Sequence, residues 1–359
     1  MKYYLRLRKI FAFLVLVLLP IVGYSANEMG EPLLQNYDPT DYGSHGQIWS
    51  IIQDKRGVMY FGTTNGITEF DGTNWRHLEI SNHSTIRSLA MDPEGRIYFG
   101  AVSDLGMLGC DNKGSLNYHS LKVKIPEKHR NFADVWRTLI TSHGIYFVLQ
   151  DKIFRWHQGG FEIVFDDPTL FLWSCRLDDT VYVFSRNLDR NYGEVLVLIN
   201  GKIRPLPHCR ISLSEYGPTL KVLPYPGNKL LICSRQKLFL YDLDKLSLPR
   251  LFKEENYAAG IPKSIINPIH TKFDEYLKHN ELFTCLRITD YRYAIGTMKG
   301  GIIITDFKKN DFYIINKERG LQDDCIWSLY LDKSQNLWVG TNFGISYIEL
   351  SSQLTKFSK

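Results

Sequence analysis

LQDDCIWSLYLDKSQNLWVGTNFGISYIEL, from Leu321 to Leu350, reads as three short strands. CIWSLYL is apolar and β-prone and ends at the turn Asp332-Lys333-Ser334-Gln335-Asn336. NLWVGT follows, then a tight Asn342-Phe343-Gly344 turn and the alternating strand ISYIEL. Runs of this length, bounded by Gly, Asn and Asp, are strands joined by hairpins. The same pattern occurs near the start of the chain, in QIWSIIQDKRGVMYFGTTNGITEFDG from Gln47 to Gly72. It returns from Thr85 in TIRSLAMDPEGRIYFGAVSDLGML. A unit of three or four strands recurring about every 40 residues is the mark of a β-propeller blade.

Aligning the rest of the chain on the apolar start of the first strand gives seven copies, beginning at Ile48, Ile86, Val135, Leu172, Leu220, Phe283 and Ile326. Each is followed by a turn and a second strand (VMYFGT, RIYFGA, GIYFVL, TVYVFS, KLLICS, RYAIGT and NLWVGT), then by a third. A weaker outer strand such as WRHLEI, FEIVF or DFYIIN closes most units. One blade cannot bury both of its faces, whereas seven packed radially can. The expected fold is therefore all-β: a seven-bladed β-propeller of four-stranded antiparallel blades. The middle copies lack the Gly-Thr signature, which leaves counts of six and eight open. Two irregular inserts run from Lys122 to Phe132 and from Glu254 to Asn280, and FDEYLKH in the second can hold a helical turn.

The leader is separate. Lys2, Arg6, Arg8 and Lys9 precede the apolar run IFAFLVLVLLPIV, and small residues follow at Gly23, Ser25 and Ala26. That is the layout of a secretory signal peptide, so residues 1–26 are expected to be a signal peptide and 27–359 the propeller. The apolar run is short for a membrane span; an uncleaved anchor is the alternative. Without the leader, 39 basic residues face 38 acidic ones. No basic stripe remains to suggest nucleic acid.

The six cysteines are scattered, with no CxxC pair, and sit mostly in apolar strand frames as small hydrophobes. The ten histidines show no ligand spacing, and there is no GxSxG or Walker loop. Neither a cofactor nor a metal is expected. Asp54, Asp92, Asp178 and Asp332 recur after the first strand and are read as caps of the hairpin turn.

These residues resemble a known family. Asp, a Gly/Asn turn, two apolar residues, Gly-Thr, a polar pair and Gly-Ile form a pattern similar to the two-component regulator propeller repeat of bacterial sensors. DKRGVMYFGTTNGITEFDG from Asp54, DKSQNLWVGTNFGISYIE from Asp332 and GLQDDCIWSL from Gly320 carry it most clearly. The opening from Asn36 to Trp75 resembles the first blade of sensors with a triple-tyrosine motif domain. The resemblance implies a periplasmic, ligand-sensing module. Such proteins continue into further blades, a triple-tyrosine domain, a membrane helix and an output domain. This chain stops at Lys359, which reads as a truncated sensor or a stand-alone relative.

In a propeller the first strand lines the central channel. Its second residue in the seven copies is Trp49, Arg87, Trp136, Trp173, Lys221, Thr284 and Trp327. Indole faces stack on sugar rings or bind cations. Trp49, Arg87, Trp136, Trp173, Lys221 and Trp327 are therefore the candidate binding residues for a small extracellular ligand, a glycan among them. The bland alternative is that these Trp pack between blades. Two further classes compete, a propeller enzyme of the lyase or glycosidase kind and a protein-interaction platform. No repeated position supplies clustered catalytic carboxylates, which favours binding over turnover.

Overall fold

The computed structural model describes residues 31–359 except 45, 81–83, 111–115, 188–190, 200, 247–262, 351–354 and 357–359. The signal-peptide reading of residues 1–26 lies outside the described residues.

Each apolar run between turn residues becomes one strand of a four-stranded antiparallel meander. Blade 1 comprises Ser50–Gln53, Met59–Thr63, Gly66–Phe70 and Trp75–Leu78; blade 2 comprises Ile86–Met91, Ile97–Ala101, Leu105–Cys110 and Leu116–Ser120. Blade 3 is built from Val135–Thr141, Gly144–Leu149, Lys152–His157 and Gly160–Asp166, and blade 4 from Phe171–Leu177, Thr180–Asn187, Tyr192–Ile199 and Lys202–Ser212. Blade 5 holds Thr219–Tyr225, Lys229–Ser234, Leu238–Asp242 and Ile266–Pro268. Blade 6 holds Leu282–Arg287, Arg292–Thr297, Ile302–Asp306 and Asp311–Ile315. Blade 7 has Ile326–Leu331, Leu337–Thr341 and Ile345–Ile348 from the C-terminal region and takes its fourth strand, Leu34–Tyr37, from the N-terminal region. The inner strands of successive blades touch around a complete circle, blade 7 meeting blade 1. The fold is a seven-bladed propeller.

The closing strand runs antiparallel to Ile345–Ile348, with Leu34 opposite Ile348 and Tyr37 opposite Ile345. In the sequence, PLLQNY (Pro32 to Tyr37) has the length of one outer strand and apolar Leu33 and Leu34, and is expected to pair antiparallel with ISYIEL, leaving LTKFSK as an exit segment; the paired part is the shorter Leu34–Tyr37. A separate small unit contains an antiparallel ladder of Glu31–Pro32 with Thr355–Lys356, so part of LTKFSK pairs where the sequence reading leaves it as an exit segment. The second insert does contain a helix, Asp274–Asn280, and the first contains two 3-10 turns.

Burial explains the strand patterns. Met59–Thr63, Ile97–Ala101 and Leu337–Thr341 are buried at every residue, because a second strand is covered by the blades on both sides. Continuous apolar runs are what such double coverage requires. Inner and outer strands are only half-covered and alternate more. The Gly-Thr signature has two separate physical causes. A Cβ on Gly62 would lie 2.8 Å from Ile86 Cγ2, and one on Gly340 would lie 2.6 Å from the Ile48 carbonyl oxygen. The glycine thus admits the first inner-strand residue of the next blade. The threonine caps the hairpin that follows: Thr63, Thr297 and Thr341 donate to the carbonyls of Gly66, Gly301 and Gly344 at 3.0, 2.9 and 2.8 Å.

Gly340→Ala should therefore destabilise the blade 7–blade 1 contact by about 1–3 kcal/mol through overpacking. Gly160→Ala, where an added Cβ meets nothing within 4 Å, is the matched control. Equal melting temperatures for the two variants would refute the steric account.

The recurring aspartates cap turns as expected at three positions. Asp54 accepts from the backbone N–H of Arg56 and Val58 at 2.8 and 3.0 Å, Asp92 from that of Arg96 at 2.8 Å, and Asp332 from those of Ser334 and Asn336, both at 2.9 Å. Asp178 instead occupies its turn with φ of 51°.

Candidate functional site: an aromatic channel mouth

Five inner strands share a local defect near their start. The pairing register skips one residue between Ile86 and Ser88, Val135 and Arg137, Thr219 and Lys221, Leu282 and Thr284, and Ile326 and Ser328. The skipped residues are Arg87, Trp136, Leu220, Phe283 and Trp327. A bulge leaves its extra residue out of the ladder and re-aims the side chain. In blade 1, Trp49 sits just before the first ladder pair, its N–H bonded to the Gly62 carbonyl at 2.9 Å. In blade 4, Trp173 lies in the regular ladder opposite Phe184.

These side chains converge into a closed aromatic circuit. Ring centroids are 6.1 Å apart for Trp49–Trp136, 5.4 Å for Trp136–Trp173 and 5.8 Å for Trp173–Phe283. The circuit continues through Phe283–Trp327 at 4.9 Å and returns through Trp327–Trp49 at 4.5 Å. All five rings line one cavity of about 250 Å³. Arg87 lies beside the circuit, its guanidinium carbon 4.1 Å from the Trp49 centroid and 4.6 Å from that of Trp136. Its Nε is 2.6 Å from Asp134 Oδ1 of the next blade, so its charge is already compensated.

Of the six residues singled out from the sequence, the structure brings Trp49, Trp136, Trp173 and Trp327 around the cavity and sets Arg87 against two of them. Lys221 is not in the lining; Leu220 is, and in blade 6 Phe283 takes the place read for Thr284. The inner strands there start at Thr219 and Leu282, one residue earlier than the alignment has them. TLKVL and LFTCL each admit two apolar registers, and the bulge, which local pattern does not mark, chooses between them. Lys221 instead lies near enough to the buried Cys175 thiol to interact with it electrostatically. Sequence reasoning also missed Arg186 and Arg235, which line the same cavity.

Among the described residues the lining contains no Asp, Glu or His. Among the described residues no group of His, Cys, Asp and Glu could hold a metal. Cys175, Cys209, Cys233 and Cys285 are free and buried. Burial pushes the Cys175 and Cys209 thiols up, and Cys325 up to about 11 with the Asp323 charge adding to the effect. Such thiols are poor nucleophiles. The arrangement is suited to stacking and holding a ligand.

The strand order and the circle of blades define a seven-bladed propeller. The family model for the two component regulator propeller matches residues 42–65 and 320–343. Among solved structures it is similar to the extracellular domain of BT4673 from B. thetaiotaomicron, described as a putative hybrid two component system. That match has a TM-score of 0.65 and 16% identity over 89% of this chain and 40% of the other. The corresponding domain of BT3049 matches with TM-score 0.61 and 17% identity over 91% and 44%. Virginiamycin B lyase from Staphylococcus aureus has the same fold at TM-score 0.61 and 11% identity, over 89% of this chain and 100% of the lyase. This chain spans about two fifths of the length of the two extracellular domains. No curated protein matches it in sequence. No described helix is long and apolar enough to cross a membrane.

Proposed function

We propose that this chain is the ligand-sensing propeller of an exported regulator and binds a small molecule, a saccharide first among the candidates, in its aromatic mouth. The observation that carries the reading is the closed circuit of Trp49, Trp136, Trp173, Phe283 and Trp327 around one cavity. Rings offered face and edge to an open cavity provide contact area for a ring-shaped ligand. The regulator repeat and the likeness to extracellular sensor domains support a sensing role. The charged and apolar leader in residues 1–26 supports export to the periplasm. Output would pass to a triple-tyrosine domain, a membrane helix or a protein partner outside this chain. An enzymatic reading, for which the lyase fold is the precedent, is disfavoured because the described lining residues include no acid, base or thiol.

The test is a titration of the full chain against a panel of neutral and acidic oligosaccharides, read by tryptophan emission. At least one member should shift or quench the emission with saturation. A panel without any saturable change would remove the reading, as would a ligand mapped to the outer blade edges.

A further inference from the structure

Nine buried side-chain polar atoms lack a hydrogen-bond partner among the described residues, and five of them belong to the cavity lining. They are Trp49 Nε1, Trp136 Nε1, Arg186 Nε, Arg235 Nε and Thr219 Oγ1. Four of the five can only donate. Buried donors are normally satisfied, so a cluster of unsatisfied ones around a cavity asks for a ligand rich in acceptors.

The two arginines occupy related positions in neighbouring blades. Arg186 is opposite Phe171, one step beyond the Leu172–Ser185 pair. Arg235 follows Ser234, which is opposite Thr219, and its N–H bonds the Pro218 carbonyl. The same position after the second strand holds Thr64, Val102, Gln150, Met298 and Asn342 in the other blades, all uncharged. Blades 4 and 5, where the Gly-Thr signature is missing, put guanidinium groups there instead.

Among the described residues these charges are poorly compensated. The Arg186 guanidinium carbon lies 4.4 Å from the Phe171 centroid, and burial followed by the like charge of Arg235 disfavours its protonated form. Arg235 Nη1 is 3.8 Å from Glu281 Oε2, a long contact, and the other Glu281 oxygen is 3.3 Å from Lys299 Nζ. Arg137 sits 4.1 Å from the Trp173 centroid and hydrogen-bonds the Trp136 carbonyl at 2.7 Å. Lys221 adds another cation beside Cys175. Among the described residues, the two cations in the lining are Arg186 and Arg235, and the one carboxylate paired with either is Glu281, which Arg235 shares with Lys299; Arg87 is matched by Asp134. In a partly desolvated site that excess favours an anion.

We infer that the mouth recognises an anionic saccharide, one bearing a carboxylate or a sulfate, with the sugar ring on the tryptophan circuit and the anionic group on Arg186 and Arg235. The inference rests on the saccharide-binding reading above and names the chemical class of ligand for that site.

The experiment titrates the full chain with trigalacturonate, with a sulfated chondroitin disaccharide and with neutral maltotriose. Calorimetry and tryptophan emission are recorded at low and high salt. At least one acidic saccharide should bind ten-fold or more tighter than maltotriose and weaken as salt rises; which one does so separates carboxylate from sulfate. Arg186→Gln and Arg235→Gln should each cost that ligand at least ten-fold in affinity, with Arg235→Lys recovering part of the loss. If Arg186→Gln lowers the melting temperature, Arg235→Gln and the salt dependence carry the test. Maltotriose binding as tightly as both acids, with quenching of the emission, would overturn the anionic preference and leave the aromatic mouth standing. Acidic saccharides that bind without any change in emission and regardless of Trp327→Ala would overturn the mouth itself. Failure of both acids to bind overturns the inference.

Discussion

Deleting residues 1–37 should abolish the single cooperative unfolding transition that a chain deleted only through residue 30 retains. Leu34–Tyr37 supplies the fourth strand of blade 7, and its backbone ladder to Ile345–Ile348 ties the two ends of the propeller together. Asn36 strengthens the tie twice, donating to the Gly320 carbonyl at 2.8 Å and accepting from Ser346 Oγ at 2.7 Å. Tyr37 stacks on Trp338 of blade 7 at 6.0 Å and meets Trp75 of blade 1 edge-on at 5.2 Å. Without the strand, the blade 7–blade 1 contact keeps its packing and scattered polar ties: Ile48 N–H to the Thr341 carbonyl at 3.1 Å, Ser328 Oγ to the Ile48 carbonyl at 2.8 Å, Gln47 Nε2 to Asn342 Oδ1 at 2.8 Å, and Lys333 to Gln53 and Lys55. Ile345–Ile348 becomes a bare strand edge, a template for aggregation. Tyr37→Ala alone should cost toward the low end of about 3–5 kcal/mol, since the ring is half-buried. Thermal melts by circular dichroism, with size-exclusion chromatography for aggregation, decide the matter. Identical midpoints for the two deletions would mean that closure does not depend on this strand.

The second large effect separates two tryptophans of the same blade. Trp327 stands in the mouth, half-buried, tilted against Trp49 and edge-on to Phe283. Trp338 is 5% exposed, packs among Phe61, Phe70 and Tyr37, and donates to Asp332 Oδ2 at 3.0 Å. Trp338→Ala should therefore cost about 3–5 kcal/mol of stability, seen as a large fall in melting temperature. Trp327→Ala should leave most of the stability and remove at least ten-fold of affinity for the mouth ligand, a loss of about 1.4 kcal/mol. A Trp327→Ala variant that melts as early as Trp338→Ala but binds normally would show that the circuit is inter-blade packing.

Much of this fold is legible in the sequence alone. Double coverage of the second strands leaves unbroken apolar runs, hairpins leave Gly, Asn and Asp, and steric contact with the next blade leaves a glycine at Gly62 and Gly340. These are local or nearest-neighbour effects, so they repeat visibly and set seven blades of four strands. The closing strand was legible too, because Leu33 and Leu34 precede the first blade with no other edge to cover.

The mouth was legible only in part. Trp49, Trp136, Trp173 and Trp327 stand out by residue type at an aligned position. Leu220 and Phe283 do not, because a one-residue bulge shifts which side chain leaves the ladder, and bulge placement answers to packing between blades. Arg186 and Arg235 lie 49 positions apart in the chain (235 less 186) and share no motif. Only the radial arrangement brings the ends of two second strands to one cavity. Repeat number and strand order follow from short-range pattern, whereas the chemistry of the mouth depends on residues that meet only when the circle is closed.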